Sequence, residues 1–212
     1  VADPARVLQL RSHPSLVHLD APETAPGPRA WCRAELAGRL CELNPGPASA
    51  LLTAALALVL DAQREGEPAA WITAAPDTFY PPDAAAGGID LAALAVVRCT
   101  EPGTAGRAAD LLLRSGAFGL VVLELGPGAR LPIPLQGRLV QLAQKHDAAV
   151  VCLADRPPAA PSLGSLVSLR ALASRRRLAD GRFACVLEMI KDKRRGPGWS
   201  CEEVCRGPEG LR

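Results

Sequence analysis

Four short, continuous apolar runs, Ala69–Thr73, Leu94–Val97, Leu120–Leu123 and Ala148–Ala154, constrain this chain more than any other feature. A run that is apolar at every position, and not at alternate ones, suits a parallel strand covered on both faces. Helical segments separate the runs. Residues 49–64 carry Leu51, Leu52, Leu56, Leu58, Val59 and Leu60 and end at Arg64-Glu-Gly66, with glycine placed to terminate a helix. Thr104 is positioned to cap a second helix, with Ala108, Leu111, Leu112 and Ser115 at helical spacing and Gly116 ending it. Pro134 opens a third, with Leu135, Leu139, Leu142 and Ala143 on one side and Lys145 and His146 in its last turn. Alternating strands and helices predict a doubly wound, mostly parallel α/β sheet.

After Pro157-Pro-Ala-Ala-Pro161 the pattern changes. Leu163–Leu172 and Phe183–Ile190 read as two strands joined through Arg175–Arg182, with a turn at Asp180-Gly181, and Trp199–Val204 as a third on the same edge. Antiparallel strands are therefore expected at the C-terminal edge. Residues 1–30 are proline-rich, hold His13 and His18, and read as an extended arm with a short strand at Arg6–Leu10; residues 31–212 form the core domain.

Hydrophobic residues make up 49% of the chain and aromatics only 3%, so the core is aliphatic. No apolar run reaches the roughly 20 residues of a membrane span, and no signal-peptide pattern follows Val1, so a soluble, cytoplasmic protein is expected. Cys41, Cys152 and Cys185 fall inside apolar runs and Cys99 at the end of one, where a thiol acts as a small hydrophobe. Cys201 and Cys205 lack a second ligand pair for zinc, and His13, His18 and His146 have no partner at metal spacing. Residues 1–155 carry 12 Lys/Arg against 16 Asp/Glu, whereas residues 156–212 carry 12 against 6. The basic end is where an acidic partner would bind.

The stretch Gly38–Thr53 has the layout of a phosphate-binding loop without its chemistry. An apolar strand, Leu40–Leu43, runs through Asn44 into the turn Pro45-Gly46-Pro47, and the helix opens at about Ser49. A working loop presents backbone N–H groups and a lysine to phosphate, and a hydroxyl to magnesium. Here Leu51 and Leu52 stand at those places, Pro45 and Pro47 remove two donors, and Ser49 and Thr53 read as helix-capping and first-turn residues.

From about residue 31 onwards these pieces resemble the ATPase core of the RecA superfamily. The resemblance rests on the strand into the degenerate loop, on Leu113-Arg-Ser-Gly-Ala-Phe-Gly-Leu-Val-Val-Leu-Glu124, and on Met189-Ile-Lys-Asp-Lys193 before a Gly/Pro turn. Phe79-Tyr-Pro-Pro-Asp83 and Gly88-Ile-Asp-Leu-Ala-Ala-Leu-Ala-Val-Val-Arg98 look like the ImuA branch, RecA-derived accessory proteins of bacterial translesion synthesis. The resemblance places the water-activating residue at Ala75, the phosphate lysine at Leu51, the Walker B acid at Glu124 and the γ-phosphate sensor at Asp155. Without base and lysine, phosphoryl transfer has neither positioning nor charge neutralisation. The expectation is a protein with no catalytic activity and no cofactor. Glu124 is expected as a buried strand-end acid paired with an arginine, and the two DNA-binding loops of the family are shortened to about residues 126–134 and 156–164.

The resemblance implies a DNA-damage role, with RecA, ImuB and an error-prone polymerase as partners. Lys191 and Lys193 match lysines that reach a neighbouring protomer's ATP in RecA filaments, so with Arg194 and Arg195 they are candidates for a RecA interface that caps or destabilises filaments. The plainer reading is a solvated basic loop. Arg170, Arg175, Arg176, Arg177 and Arg182 are candidates for weak, sequence-blind contact with nucleic-acid phosphates, or for a solubilising hairpin tip; stacking aromatics are scarce nearby. Two other readings stay open: a division inhibitor of the SulA type, and a weak RecA-like ATPase or nucleotide sensor.

Overall fold

A computed structural model describes residues 31–74, 79–178 and 182–205. The sheet has eight strands: β1 (Leu40–Pro45), β2 (Ala69–Thr73), β3 (Leu94–Arg98), β4 (Leu120–Pro127), β5 (Ala149–Asp155), β6 (Leu169–Arg177), β7 (Phe183–Asp192) and β8 (Ser200–Cys205). The helices are α1 (Arg33–Leu36), α2 (Leu51–Arg64), α3 (Pro81–Ala86), α4 (Pro102–Ser115) and α5 (Ile133–Lys145), with a 3-10 turn at Leu91–Ala93. The strand order is β3-β2-β4-β5-β1-β6-β7-β8. Pairing is parallel from β3 to β6 and antiparallel for β6–β7 and β7–β8. The expected α/β architecture with an antiparallel C-terminal edge is present.

Helices cover both faces of the central parallel strands, which is why those strands are largely apolar. On one face α2 sets Ala54, Ala55, Leu58, Val59 and Ala62 against Cys41, Leu43, Trp71, Val122 and Val151. On the other, Ala105, Ala109 and Leu113 of α4 and Leu139 and Ala143 of α5 cover Ile72, Leu123, Val150 and Cys152. The near-absence of aromatics leaves Trp71 as the largest fully buried side chain, with the Phe79 ring 5.3 Å away. On β7, Cys185, Leu187 and Met189 lie under α2, while Glu188 on the opposite face is exposed.

Several element ends differ from expectation, each for a local reason. Helix α4 starts two residues before Thr104, because Pro102 supplies a preset φ at a position whose N–H is unused anyway; Thr104 lies in the first turn and does not cap. Gly116 does end that helix, in the left-handed conformation at φ 70°. Helix α2 begins at Leu51, and Ser49 Oγ accepts from the Leu51 amide at 3.3 Å. His146 stands just beyond the last turn of α5. Strand β4 runs past Leu123 to Pro127 through an irregularity between Glu124 and Gly126. Strand β6 starts at Leu169, since residues 163–168 form a loop tied to neighbouring elements. Leu51, Leu52, Leu56 and Leu60 are only half-buried, so α2 is an ordinary one-sided cover. The arm, its histidines, Ala75 and the Asp180-Gly181 turn lie outside the described residues.

Candidate functional site: a closed phosphate-loop cradle

The chain winds from β1 out to β3, returns through β4 and β5, and then crosses to β6 on the other side of β1. The carboxyl ends of β1 and β5 therefore flank the switch point where open α/β sheets place ligands. The degenerate loop Asn44–Pro47 follows β1 there.

Its donors point at its own sheet. Gly46 N and Ala50 N both donate to Ala173 O, at 2.9 and 3.1 Å, and Arg175 N donates back to Pro47 O at 3.2 Å. β1 stays paired with β6 as far as Pro45 beside Ala173. The turn is packed so tightly on β6 that a Cβ on Gly46 would lie 2.1 Å from Ser174 Oγ. Amides that would cradle a phosphate are thus satisfied by a backbone carbonyl. Leu51 and Leu52 pack against the core on the α2 side and offer no polar atom in place of lysine and hydroxyl.

Below the turn, a buried polar cluster fills the crevice. Glu42 is fully buried, and the guanidinium of Arg170 lies 3.1 Å from its Oε1. The Arg170 Nε hydrogen goes to Asn44 Oδ1 at 2.6 Å, so Glu42 Oε1 receives charge without a hydrogen bond of its own. Asn44 Nδ2 donates to Ala154 O at 2.6 Å, and Glu42 Oε2 accepts from Leu163 N at 2.7 Å. The remaining Arg170 donors reach Pro157 O (3.0 Å) and Ala160 O (2.6 Å). A buried carboxylate requires such a partner. Arg170 therefore belongs to the interior: its assignment as a nucleic-acid contact is corrected, because it is buried against the Glu42 carboxylate with its donors turned to Asn44 and the 156–164 loop.

The loops at 126–134 and 156–164 are also fastened to each other. Arg156 donates to Ala129 O at 2.5 Å, and Gln136 Nε2 donates to Leu131 O (2.7 Å) and Leu163 O (3.2 Å). Glu124 is buried as expected, but its partner is the Trp71 indole, which donates to Oε2 at 3.1 Å, and no arginine among the described residues pairs with it. It also precedes the end of β4, so it is not a strand-end acid. Asp155, at the end of β5, is exposed.

The 191–195 segment divides. Arg194 donates to Ala37 O and Glu35 O at 3.1 and 3.3 Å, and Arg195 pairs with Glu35 at 2.6 Å while lying over the Trp199 ring. These two fasten the turn to α1, and both remain exposed. Lys193 Nζ donates to Ser165 O at 2.6 Å. Lys191 is half-buried beside Arg170 in the ladder and makes no hydrogen bond or ion pair among the described residues. Desolvation, then the neighbouring Lys193, pull its pKa below the usual lysine value.

On the hairpin, Arg176 pairs with exposed Glu202 at 2.6 Å and Arg175 lies over the Phe183 ring. Arg177 and Arg182 are exposed. The basic tip is therefore less cationic in space than in sequence. Among the described residues no three His, Cys, Asp or Glu converge to hold a metal, and no helix is long and apolar enough to cross a membrane.

Sequence reasoning missed Glu42 and Gln136. The signal for Glu42 was available: an acid within the apolar run Leu40–Leu43 demands a buried cation. Gln136 carries no such signal. A scan against protein-family models and a search of curated proteins found no match for this chain.

Proposed function

We propose that this chain is a non-catalytic RecA-like protein of the ImuA branch, binding RecA and supporting mutagenic translesion synthesis with ImuB and an error-prone polymerase. The observation that carries the non-catalytic part is the turn folded onto the neighbouring strand β6, with Gly46 N and Ala50 N donating to Ala173 O. A doubly wound sheet with an antiparallel edge suits a RecA-like frame. The choice of RecA as partner rests on the likeness of residues 113–124 and 189–193. Within the basic segment Lys191 has no side-chain hydrogen bond or ion pair among the described residues, whereas Lys193, Arg194 and Arg195 also hold contacts within the chain. An unpartnered, partly desolvated Lys191 is suited to an anionic group on a neighbour. Contact with DNA through Arg175, Arg177 and Arg182 would be weak and strongly salt-dependent.

The test is titration of the full chain into preformed RecA filaments on single-stranded DNA, following filament length and ATP turnover. The expected result is a dose-dependent change in both, weakened in the Lys191→Ala/Lys193→Ala variant. A chain that leaves RecA filaments untouched at saturating concentration, or a double variant with full effect, overturns the corresponding part of the reading.

A further inference from the structure

The sheet ends at β8, whose outer edge has no strand partner among the described residues. Met189 N donates to Trp199 O at 2.9 Å. Hydrogen-bonded and non-bonded pairs alternate along an antiparallel ladder, so Cys201, Glu203 and Cys205 turn their backbone groups to β7, and Ser200, Glu202 and Val204 turn theirs outward. Beside that open edge lies a cavity of about 200 Å³, bounded by Trp31 and by Thr53 and Ala57 of α2, and floored by Leu187, Cys201 and Cys205. Cys185 completes the floor, and burial pushes its thiol up to about 12 and that of Cys201 to about 11. At neutral pH these thiols are uncharged, soft apolar walls, poorly suited to nucleophilic or ligating roles.

The edge strand also has a charge pattern. Glu203 stands opposite Cys185, hence on the cavity face, exposed and with no ion-pair partner among the described residues. Glu202 faces the other way and is held by Arg176. A second copy of β8 centred on Glu202 or on Glu203 would set that carboxylate against its own copy, and like charges in register destabilise a sheet. A basic occupant is favoured instead.

We propose that the groove between β8 and α2 takes an extended segment of a partner protein, added as a ninth strand, with apolar side chains at alternate positions in the cavity and a lysine or arginine against Glu203. Main-chain hydrogen bonds to the open edge give affinity, and the cavity and carboxylate give sequence preference. This surface does not depend on the RecA reading: it requires only the edge, the cavity and the acid.

The test is fluorescence anisotropy of the full chain with a labelled Val/Lys peptide, in which Thr occupies every second position and the positions between carry Val and one Lys, so that Val and Lys share the cavity face. A scrambled peptide of the same composition and a Val/Glu peptide, with Glu in place of that Lys, are the controls. Saturable binding is expected for the Val/Lys peptide alone. Val204→Pro removes an outward N–H at a position where an edge strand tolerates proline, and should weaken binding by about tenfold or more. Glu203→Lys should lose the Val/Lys peptide and gain the Val/Glu one, which no unfolded variant would do. Equal binding of the scrambled peptide, or an unchanged Val204→Pro variant, overturns the proposal. So does absence of binding by the full chain, the result if another part of the same chain holds the edge. A dimer that Val204→Pro converts to monomer assigns the edge to a second copy and also overturns it.

Discussion

Asp192 illustrates how a single residue holds the two halves of this fold together. It lies at the end of β7, where its Oδ1 accepts from Arg39 Nη2 at 2.6 Å and from Arg194 N at 2.9 Å, and its Oδ2 from the Trp199 indole at 3.2 Å. Burial alone would raise its pKa, but the Arg194 amide and the Arg39 guanidinium outweigh it and hold the carboxyl below its ordinary value. Asp192→Ala leaves the Arg39 charge buried and unpaired, and should cost about 3–5 kcal/mol of stability at pH 7. A carboxyl whose folded pKa is depressed stabilises fully above its unfolded pKa and ceases to do so as pH falls through the folded value. The difference in melting temperature between wild type and Asp192→Ala should therefore shrink below about pH 4, as thermal melts from pH 7 to pH 3 would measure. A gap that stays constant across that range refutes the assignment. In the sequence Asp192 sits unremarked between two lysines, and nothing there announces that it is buried.

At the scale of elements, the 156–164 loop is held by side chains from three separate strands or helices: Glu42 on β1, Arg170 on β6 and Gln136 on α5. Nothing in its composition shows these ties, because loop composition reports turn chemistry and not what fastens the loop. Arg170→Met should leave Glu42 uncompensated, lower stability by about 3–5 kcal/mol and speed amide exchange at Leu163. Adding Glu42→Gln should restore much of the loss, since removing both charges of a buried pair is often tolerated. Exchange mass spectrometry with chemical denaturation would check both. A single variant as stable as wild type would show that the pair is not the clamp.

At the scale of the whole molecule, the sheet is doubly wound and the turn at its switch point is spent on β6. Calorimetry with ATP and magnesium should give no heat of binding with the full chain, and soaked crystals should show no ligand density beside Gly46. Either signal would return the chain to the class of nucleotide binders. The parallel part of this architecture was legible because strands covered on both faces are largely apolar, as residues 69–72 and 149–154 are. The antiparallel edge was legible from the shift in pattern after Pro161. Apolar periodicity reports which residues face inward, but it says nothing about which strand lies alongside which. Only the tertiary structure could therefore settle that Arg170 is an interior residue and that Ala173 takes the donors of Gly46 and Ala50. These contacts join segments far apart in the chain, and long-range pairing is decided by packing, where local propensity has no say.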